Sequence, residues 1–288
     1  MVELPGHVLD AYPRFSRYNS PYPEHDAATA IDLYPDRDDG RAPSPVAGEV
    51  VDYRRVRCPP KPYAADHDHL IVVDTGDHLA RILHVDPEVA VGESIGVGDD
   101  LGTLVRSGFF APWVANHLHT AFRPHDANPV RATGSLPLDV DLDHPVEPVA
   151  WDGTGTVVET GDTWVLLDSP AHPAPGERFA GIAGDDGRVL DGGLPHYEHG
   201  GFAPSTDLVT TPDEVSLLGT VVGDAVHTAT PDDRRHVQWR DVTVTANDQA
   251  VVGLSLFYSR DWLGAKLVQR DHDWHVGDEL RVDVRSER

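Results

Sequence analysis

Cysteine and lysine are almost absent from this sequence. Cys58 is the only cysteine among 288 residues, which excludes an internal disulfide and a cysteine-rich zinc site. Lys61 and Lys266 are the only lysines, and arginine supplies the other basic residues. Any metal site must therefore be built from histidine and carboxylate side chains.

Long apolar runs are missing as well. No stretch approaches the roughly 20 apolar residues that a membrane-spanning helix requires. The N-terminal residues contain neither the basic region nor the apolar region of a secretory signal. We therefore expect a cytoplasmic protein that does not bind membranes.

Positive charge is scarce relative to negative charge. The chain has 23 Lys and Arg against 48 Asp and Glu, for a formal net charge of −25. Phosphate binding requires a basic patch, so nucleic acid is not an expected partner. A uniformly acidic, lysine-poor surface resembles those of proteins from salt-accumulating organisms, in which dissolved salt screens the repulsion between like charges. We interpret the acidity as an adaptation to a salty medium.

Short β-branched runs separated by Gly, Pro and Asp recur along the chain, whereas helical periodicity is almost absent. Examples are GEVVDYRRV, HLIVVD, GTVVET, DVTVTA and LRVDV. This pattern predicts an all-β protein built from hairpins. One hairpin is expected to run from residues 69–73 through a turn at 74–77 to residues 78–85.

A segment rich in Pro and Asp, residues 133–149, interrupts this strand pattern. The chain is long enough for two modest domains that each bury a core. We therefore predict a first domain over residues 1–147 and a second β-rich domain over residues 148–288.

Two histidines, His117 and His119, lie two residues apart in a run that otherwise has the composition of a strand. Alternate residues of a strand point to the same face, so both imidazoles can reach one cleft. That spacing suits one metal ligand beside one acid–base group. Such pairs also arise by chance in a chain with 17 histidines, and His67 and His69 form another, so the spacing alone does not establish a site.

The order of motifs over residues 19–124 is more specific. A turn and strand at residues 45–53 are followed by Leu83-His84-Val85, a glycine-rich segment at residues 91–102, Ser107-Gly108 and His117-Leu118-His119, while Asp32 precedes them all. In this order the motifs resemble those of the lysostaphin-type zinc metallopeptidases, the LytM domain family.

This resemblance implies that the first domain is a LytM-like β-barrel or sandwich with a duplicated hybrid motif, and that it binds Zn²⁺. Asp32 and His119 would be zinc ligands with His25 as the third. His84 and His117 would be the non-ligand histidines that exchange protons beside a metal-bound water. Three ligands from the His, Asp and Glu set are typical of catalytic zinc, and histidine titrates near neutral pH.

His25 departs from the family pattern, which would place the first histidine at the position of Ala28. Seven positions before Asp32 on a regular strand, His25 would point to the opposite face. Only a bulge or loop could bring it to the ion. The alternatives for the third ligand are Asp26, His67, His69 and His78.

The leading functional hypothesis is a zinc endopeptidase that acts on a peptide substrate and uses the second domain to position it. The alternative is a catalytically silent β-barrel that serves as a binding or scaffold module, which the displacement of His25 favours. A biotinyl- or lipoyl-type carrier domain is disfavoured because Lys61, the only lysine of the first half, sits in no hairpin pattern in the sequence. The histidines at residues 196, 199, 272 and 275 lie among turn residues and are predicted to be loop residues.

Overall fold

The computed structural model describes residues 1–35, 39–203, 213–226 and 235–286. The regular secondary structure of these residues is almost all β, since 48% of them are in strands and 4% are helical. The prediction of an all-β protein with two domains is confirmed. The chain divides into one compact unit of Met1–Phe15 and Pro23–Asp143 and a second of Ser16–Tyr22 and His144–Arg288.

The first part of the chain holds the strands that carry the candidate site, together with two short helices. The helices are a 3-10 helix, Gly6–Ala11, and an α-helix, α1, Pro23–Asp26. The strands are β1 (Val2–Pro5), β2 (Arg14–Ser16), β3 (Ala30–Tyr34), β4 (Arg41–Pro43), β5 (Gly48–Arg57), β6 (His67–Asp74), β7 (Leu79–Leu83), β8 (Val85–Pro87), β9 (Ser94–Ile95), β10 (Asp100–Leu104), β11 (Leu118–Arg123) and β12 (Leu138–Asp141).

The main sheet of the first unit contains neighbouring strands in the order β3-β11-β7-β6-β5-β9, and each of them is antiparallel to the next. The predicted hairpin is present as β6 and β7, which pair from Leu70 with Leu83 to Asp74 with Leu79. Strand β11 lies between β3 and β7 and is buried along its whole length. A polar residue on β11 is therefore held away from water, and burial of that kind requires partners.

Apolar residues of β3, β6, β7 and β11 form the core around this sheet. Ile31, Ile82 and Leu118 are fully buried, and Leu70 packs with Val72 in one hydrophobic cluster. Strands β4, β10 and β8 form a separate antiparallel sheet. The chain therefore changes sheets between β7 and β8, at His84.

The second unit is a mostly antiparallel β-structure, and its own core includes Val157, Leu190, Leu254 and Val282. Its strands are β13 (Glu147–Val149), β14 (Thr154–Gly161), β15 (Trp164–Leu167), β16 (Ala180–Ile182), β17 (Leu190–Leu194), β18 (His199–Phe202), β19 (Glu214–Leu217), β20 (Thr220–Ala225), β21 (His236–Trp239), β22 (Val242–Ala246), β23 (Gln249–Ala250), β24 (Gly253–Leu256), β25 (Tyr258–Ser259), β26 (Lys266–Val268) and β27 (Glu279–Ser286). Among the described residues, its main sheet has the order β19-β20-β21-β18-β17-β24-β26-β15-β14-β27-β22-β23. Of the strands described in this unit, only β13 and β16 pair in parallel.

The segment Ser16–Tyr22 belongs to the second unit, which the sequence division at residue 147 did not anticipate. The cause is the fully buried carboxylate of Asp191. It accepts hydrogen bonds from Ser16 Oγ (2.6 Å) and from the backbone N–H groups of Arg17 (2.6 Å) and Tyr18 (3.2 Å). A buried carboxylate requires such donors.

Neither of the two helices in the described part of the chain has the length and apolar character that crossing a membrane requires.

Candidate metal centre

Asp32 and His119 are brought together by the pairing of β3 with β11. They are directly opposite each other in the antiparallel register, and residues in that relation project from the same face. His119 Nδ1 lies 3.0 Å from Asp32 Oδ1. His117, just before β11, places its Nε2 3.4 Å from Asp32 Oδ2. The two histidines that the sequence pattern singled out therefore reach the two oxygens of one carboxylate.

The side chain of His25 reaches Asp32 and His119 from α1. Because His25 lies in a helix, the expectation that a regular strand would point it to the opposite face does not apply. The helix begins at Pro23, a residue whose fixed φ favours the first helical position. It ends in a Schellman motif, in which Thr29 N donates to Glu24 O (2.8 Å) and Ala28 N donates to His25 O (3.1 Å). Ala28 adopts the left-handed conformation that such an ending requires (φ 51°).

Three side-chain atoms of this group form a nearly regular triangle. His25 Nε2 is 3.0 Å from His119 Nδ1 and 3.2 Å from Asp32 Oδ1, and the third side is 3.0 Å. The corners of such a triangle lie about 1.8 Å from its centre, slightly less than the zinc–nitrogen and zinc–oxygen bond lengths of about 2.0 Å. These three atoms could therefore hold a small cation such as zinc. A ring of hydrogen bonds fits the triangle poorly, because each N–H can point at only one acceptor.

The electrostatics of the group also suit a cation. Burial alone raises the pKa of Asp32, but the charges of His117 and His25 and hydrogen bonds from His117 and His119 outweigh it and hold the pKa well below its usual range. Burial lowers the pKa of His119, but hydrogen bonds to Asp32 and Glu24 and the charges of these carboxylates raise it to about 9. The buried carboxylates stabilise positive charge at this position.

His84 approaches from the point where the chain leaves the main sheet. Leu83 is opposite His119 in the register, so a continued strand would direct His84 to the other face. Instead His84 has a positive φ of 72°, an uncommon conformation for a residue other than glycine. Its Nδ1 lies 2.5 Å from Asp68 Oδ2, which also accepts from Ser107 Oγ (2.6 Å).

His84 and His117 face each other beside the triangle, with ring centroids 5.3 Å apart. Phe110 stacks on His117 with centroids 4.4 Å apart and meets His84 edge to face at 4.5 Å. His117 Nδ1 donates to Ala115 O (2.9 Å). All five predicted site residues expose less than a tenth of their surface.

The alternative third ligands lie elsewhere. Only His25, Asp32 and His119 form a potential metal-binding group within the described ranges, and the group includes none of Asp26, His67, His69 and His78. His67 Nδ1 contacts Arg55 Nη2 (3.1 Å), and His69 Nδ1 lies 3.5 Å from Asp86. In the second unit, His272 Nε2 donates to Gly161 O (2.8 Å), and none of the residues described there forms such a group.

Sequence reasoning missed four buried charged residues that support the site: Glu24, Asp68, Arg81 and Arg123. A signal for Arg81 was present, because it interrupts the otherwise apolar strand β7 in a chain that has few cations. Arg123 ends β11, which also contains polar residues, and gave a weaker signal. Glu24 and Asp68 gave no comparable signal, since acidic residues are abundant throughout the sequence. Their roles depend on contacts between strands distant in the chain.

Two family descriptions match the chain. Domain of unknown function (DUF8155) N-terminal domain matches residues 3–140, and the DUF8155 C-terminal domain matches residues 147–285. No curated protein matches the chain. The first range covers most of the first compact unit together with Ser16–Tyr22, and the second range lies within His144–Arg288 of the second unit.

Proposed function

Since the chain belongs to the DUF8155 family over both of its domains, and the descriptions of these domains assign no activity, we propose a function from the site itself: the first unit is a zinc metallohydrolase that cleaves peptide bonds. The observation that carries the proposal is the triangle formed by His25 Nε2, Asp32 Oδ1 and His119 Nδ1. The ordered motifs that resemble lysostaphin-type metallopeptidases also support it.

The three residues of the triangle would hold the ion. Three protein ligands from histidine and a carboxylate are typical of catalytic zinc, whereas structural zinc sites usually have four. The nearby His117 is not part of the group whose ligand atoms all lie within 4.8 Å of one another. When bound, zinc lowers the pKa of a coordinated water to about 7 and polarises a carbonyl.

His84 and His117 would move protons at defined atoms. In each ring Nδ1 is committed, in His84 to Asp68 Oδ2 and in His117 to the backbone carbonyl of Ala115. Nε2 is therefore the atom of each ring that can take up or return a proton. Phe110, packed on both rings, keeps them in position and excludes water from one side.

A direct test uses protein purified in concentrated KCl, stripped with a chelator and then reloaded with zinc. We expect one zinc per chain and hydrolysis of a fluorogenic peptide mixture by the reloaded form alone. Loss of an acid–base group typically lowers the rate by about 10²- to 10⁴-fold, so His84→Ala and His117→Ala are expected to lose activity by that amount while retaining zinc.

His125→Ala is the matched control, because His125 pairs with Asp74 on the surface and is half exposed. This variant is expected to retain full activity. Equal hydrolysis by the stripped and reloaded proteins would contradict the proposed function.

The burial of the site favours a second candidate, a catalytically silent β-domain in which the ion serves stability. His25 exposes 1% and Asp32 2% of its surface, which gives a substrate little access in this conformation. This candidate predicts that zinc raises the unfolding temperature but that no peptide in the mixture is cleaved. The same experiment therefore separates the two.

A further inference from the structure

A compact set of charged side chains lies behind His119 on the same face of the main sheet. Arg123 is four residues further along β11, and Arg81 on β7 is opposite Ala121 in the register. Both guanidinium groups contact Glu24 of α1. Arg81 Nη1 donates to both carboxylate oxygens of Glu24 (2.8 and 3.0 Å), and Arg123 Nη2 donates to Glu24 Oε1 (3.2 Å).

The loop that follows β11 holds these arginines in place. Arg81 Nε donates to Pro129 O (2.6 Å). Arg123 donates to Arg131 O (2.6 Å) and Thr133 O (2.5 Å). Ser135 Oγ donates to Glu24 itself. The carboxylate of Glu24 is thus fixed by three side chains, and its position is defined by the sheet and by this loop.

One contact of Glu24 points toward the candidate metal centre. Glu24 Oε2 lies 3.2 Å from His119 Nε2. An ionised carboxylate can only accept, so Nε2 carries a proton and donates it to Glu24. Nδ1 of His119, the atom that belongs to the triangle, lies beside Asp32 Oδ1 and His25 Nε2. A cation held by the triangle would take the place of a proton on Nδ1, while Nε2 keeps its own.

We propose that Glu24 is a positioning residue for the metal ligand His119. By accepting a hydrogen bond from Nε2–H, it holds the proton at Nε2 and the ring in the orientation that presents Nδ1 to a cation. Arg81, Arg123 and Ser135 hold Glu24 in turn. This role rests on the proposed function. A carboxylate behind a ligating histidine has a known physical effect, since it orients the ring and increases the basicity of the other nitrogen.

The test measures zinc affinity by competition with a chromogenic chelator in wild-type protein and in Glu24→Gln. Loss of such a partner typically weakens metal binding by about 10- to 100-fold, and we expect that loss for Glu24→Gln. Asp26→Asn is the matched control, because it removes a charge from the same helical turn. Its zinc affinity is expected to equal that of the wild type.

A second variant covers the case in which Glu24→Gln fails to fold with its two buried arginines. Glu24→Asp keeps the negative charge for Arg81 and Arg123 but shortens the reach to His119, and it is also expected to bind zinc more weakly. A further readout is the ¹⁵N NMR spectrum of the zinc-bound protein. We expect the Nε2–H of His119 to be protected from exchange with water in the wild type, where it donates to Glu24, and to exchange faster in both variants.

Each outcome is distinct. Unchanged zinc affinity and unchanged exchange of the His119 Nε2–H in both Glu24 variants would overturn the positioning role alone and leave Glu24 as a structural partner of two arginines. If the His25→Ala variant bound zinc as tightly as the wild type, the proposed metal centre would be overturned, and the positioning role with it.

Discussion

At the scale of single residues, the site brings buried carboxylates into contact with histidine and arginine side chains. Asp32, Glu24 and Asp68 are buried carboxylates, and each is in contact with histidine or arginine. Burying an unpaired charge is costly, whereas a paired and hydrogen-bonded one is tolerated. The opposing groups hold the pKa of Glu24 at about 2 although burial alone would raise it, mainly through His119 and Arg81. These carboxylates therefore remain charged in the fold.

Asp68 gives a prediction at this scale. It fixes the Nδ1 proton of His84, and the amide of an asparagine can instead stabilise the other tautomer, a change that lowers the rate by about 10⁴-fold in a histidine–aspartate pair of a serine protease. We expect Asp68→Asn to lower peptide hydrolysis by at least about 10²-fold while zinc content stays at one per chain, measured by elemental analysis and steady-state kinetics.

The control for this variant is Asp86→Asn, since the carboxylate of Asp86 is exposed to solvent and lies beside His69, not His84. It is expected to leave the rate unchanged. Full activity in Asp68→Asn would show that His84 does not depend on this carboxylate.

The histidines and the aspartate of the site could be predicted from the sequence, but the residues that hydrogen-bond to them could not. His117 and His119 could be identified from their spacing, and Asp32 and His84 from the order of the motifs. Glu24 and Asp68 acquire their roles only through side-chain contacts with residues at least 16 positions away in the sequence. Pattern and spacing contain no information about such contacts in a chain with 48 acidic residues.

At the scale of elements, the short helix α1 decides whether His25 reaches the site. The sequence favoured strands here, because residues 23–29 contain no glycine to mark a helix end and the helix lasts only about one turn. Ala28 occupies the left-handed position at which glycine is usual. The left-handed conformation costs about 1–2 kcal/mol in a residue with a Cβ.

Ala28→Gly is therefore expected to stabilise the protein. Relief of the left-handed strain, about 1–2 kcal/mol, exceeds the entropic cost of glycine, about 0.5–1 kcal/mol, for a net gain of about 0.5–1 kcal/mol in the free energy of unfolding. Denaturant titration in concentrated KCl measures this difference.

Ala27→Gly provides the matched comparison, because Ala27 is exposed and does not have a positive φ. It is expected to lower the free energy of unfolding by about 0.5–1 kcal/mol. Equal losses in both variants would show that Ala28 is not strained.

The strands were easier to predict than the helix. The β6–β7 hairpin followed from two β-branched runs around Thr75 and Gly76. The break at His84 did not follow, because a positive φ at histidine has no sequence marker comparable to glycine. It is imposed by the change of sheets and by the bond to Asp68.

At the scale of the whole molecule, the net charge of −25 is the dominant feature. Repulsion among the acidic groups opposes the compact state, and salt shortens its range from about 10 Å at 0.1 M to about 3 Å at 1 M. We expect the midpoint of thermal unfolding to rise with KCl concentration, most steeply below about 1 M. Differential scanning calorimetry measures it, and a midpoint that is flat or falls with salt would refute the interpretation of the acidity.

The all-β class and the presence of two domains could be predicted from the sequence, because both depend on local strand and turn signals. The assignment of Ser16–Tyr22 to the second unit could not, since it depends on hydrogen bonds to the buried Asp191, which lies 173–175 residues after the donors.

The most direct test of the central claim is anomalous diffraction at the zinc edge from crystals of the zinc-reloaded protein. We expect one strong peak in the first unit, about 2.0 Å from His25 Nε2, Asp32 Oδ1 and His119 Nδ1. A triangle without a peak, or a zinc ion bound at other residues only, would contradict the claim.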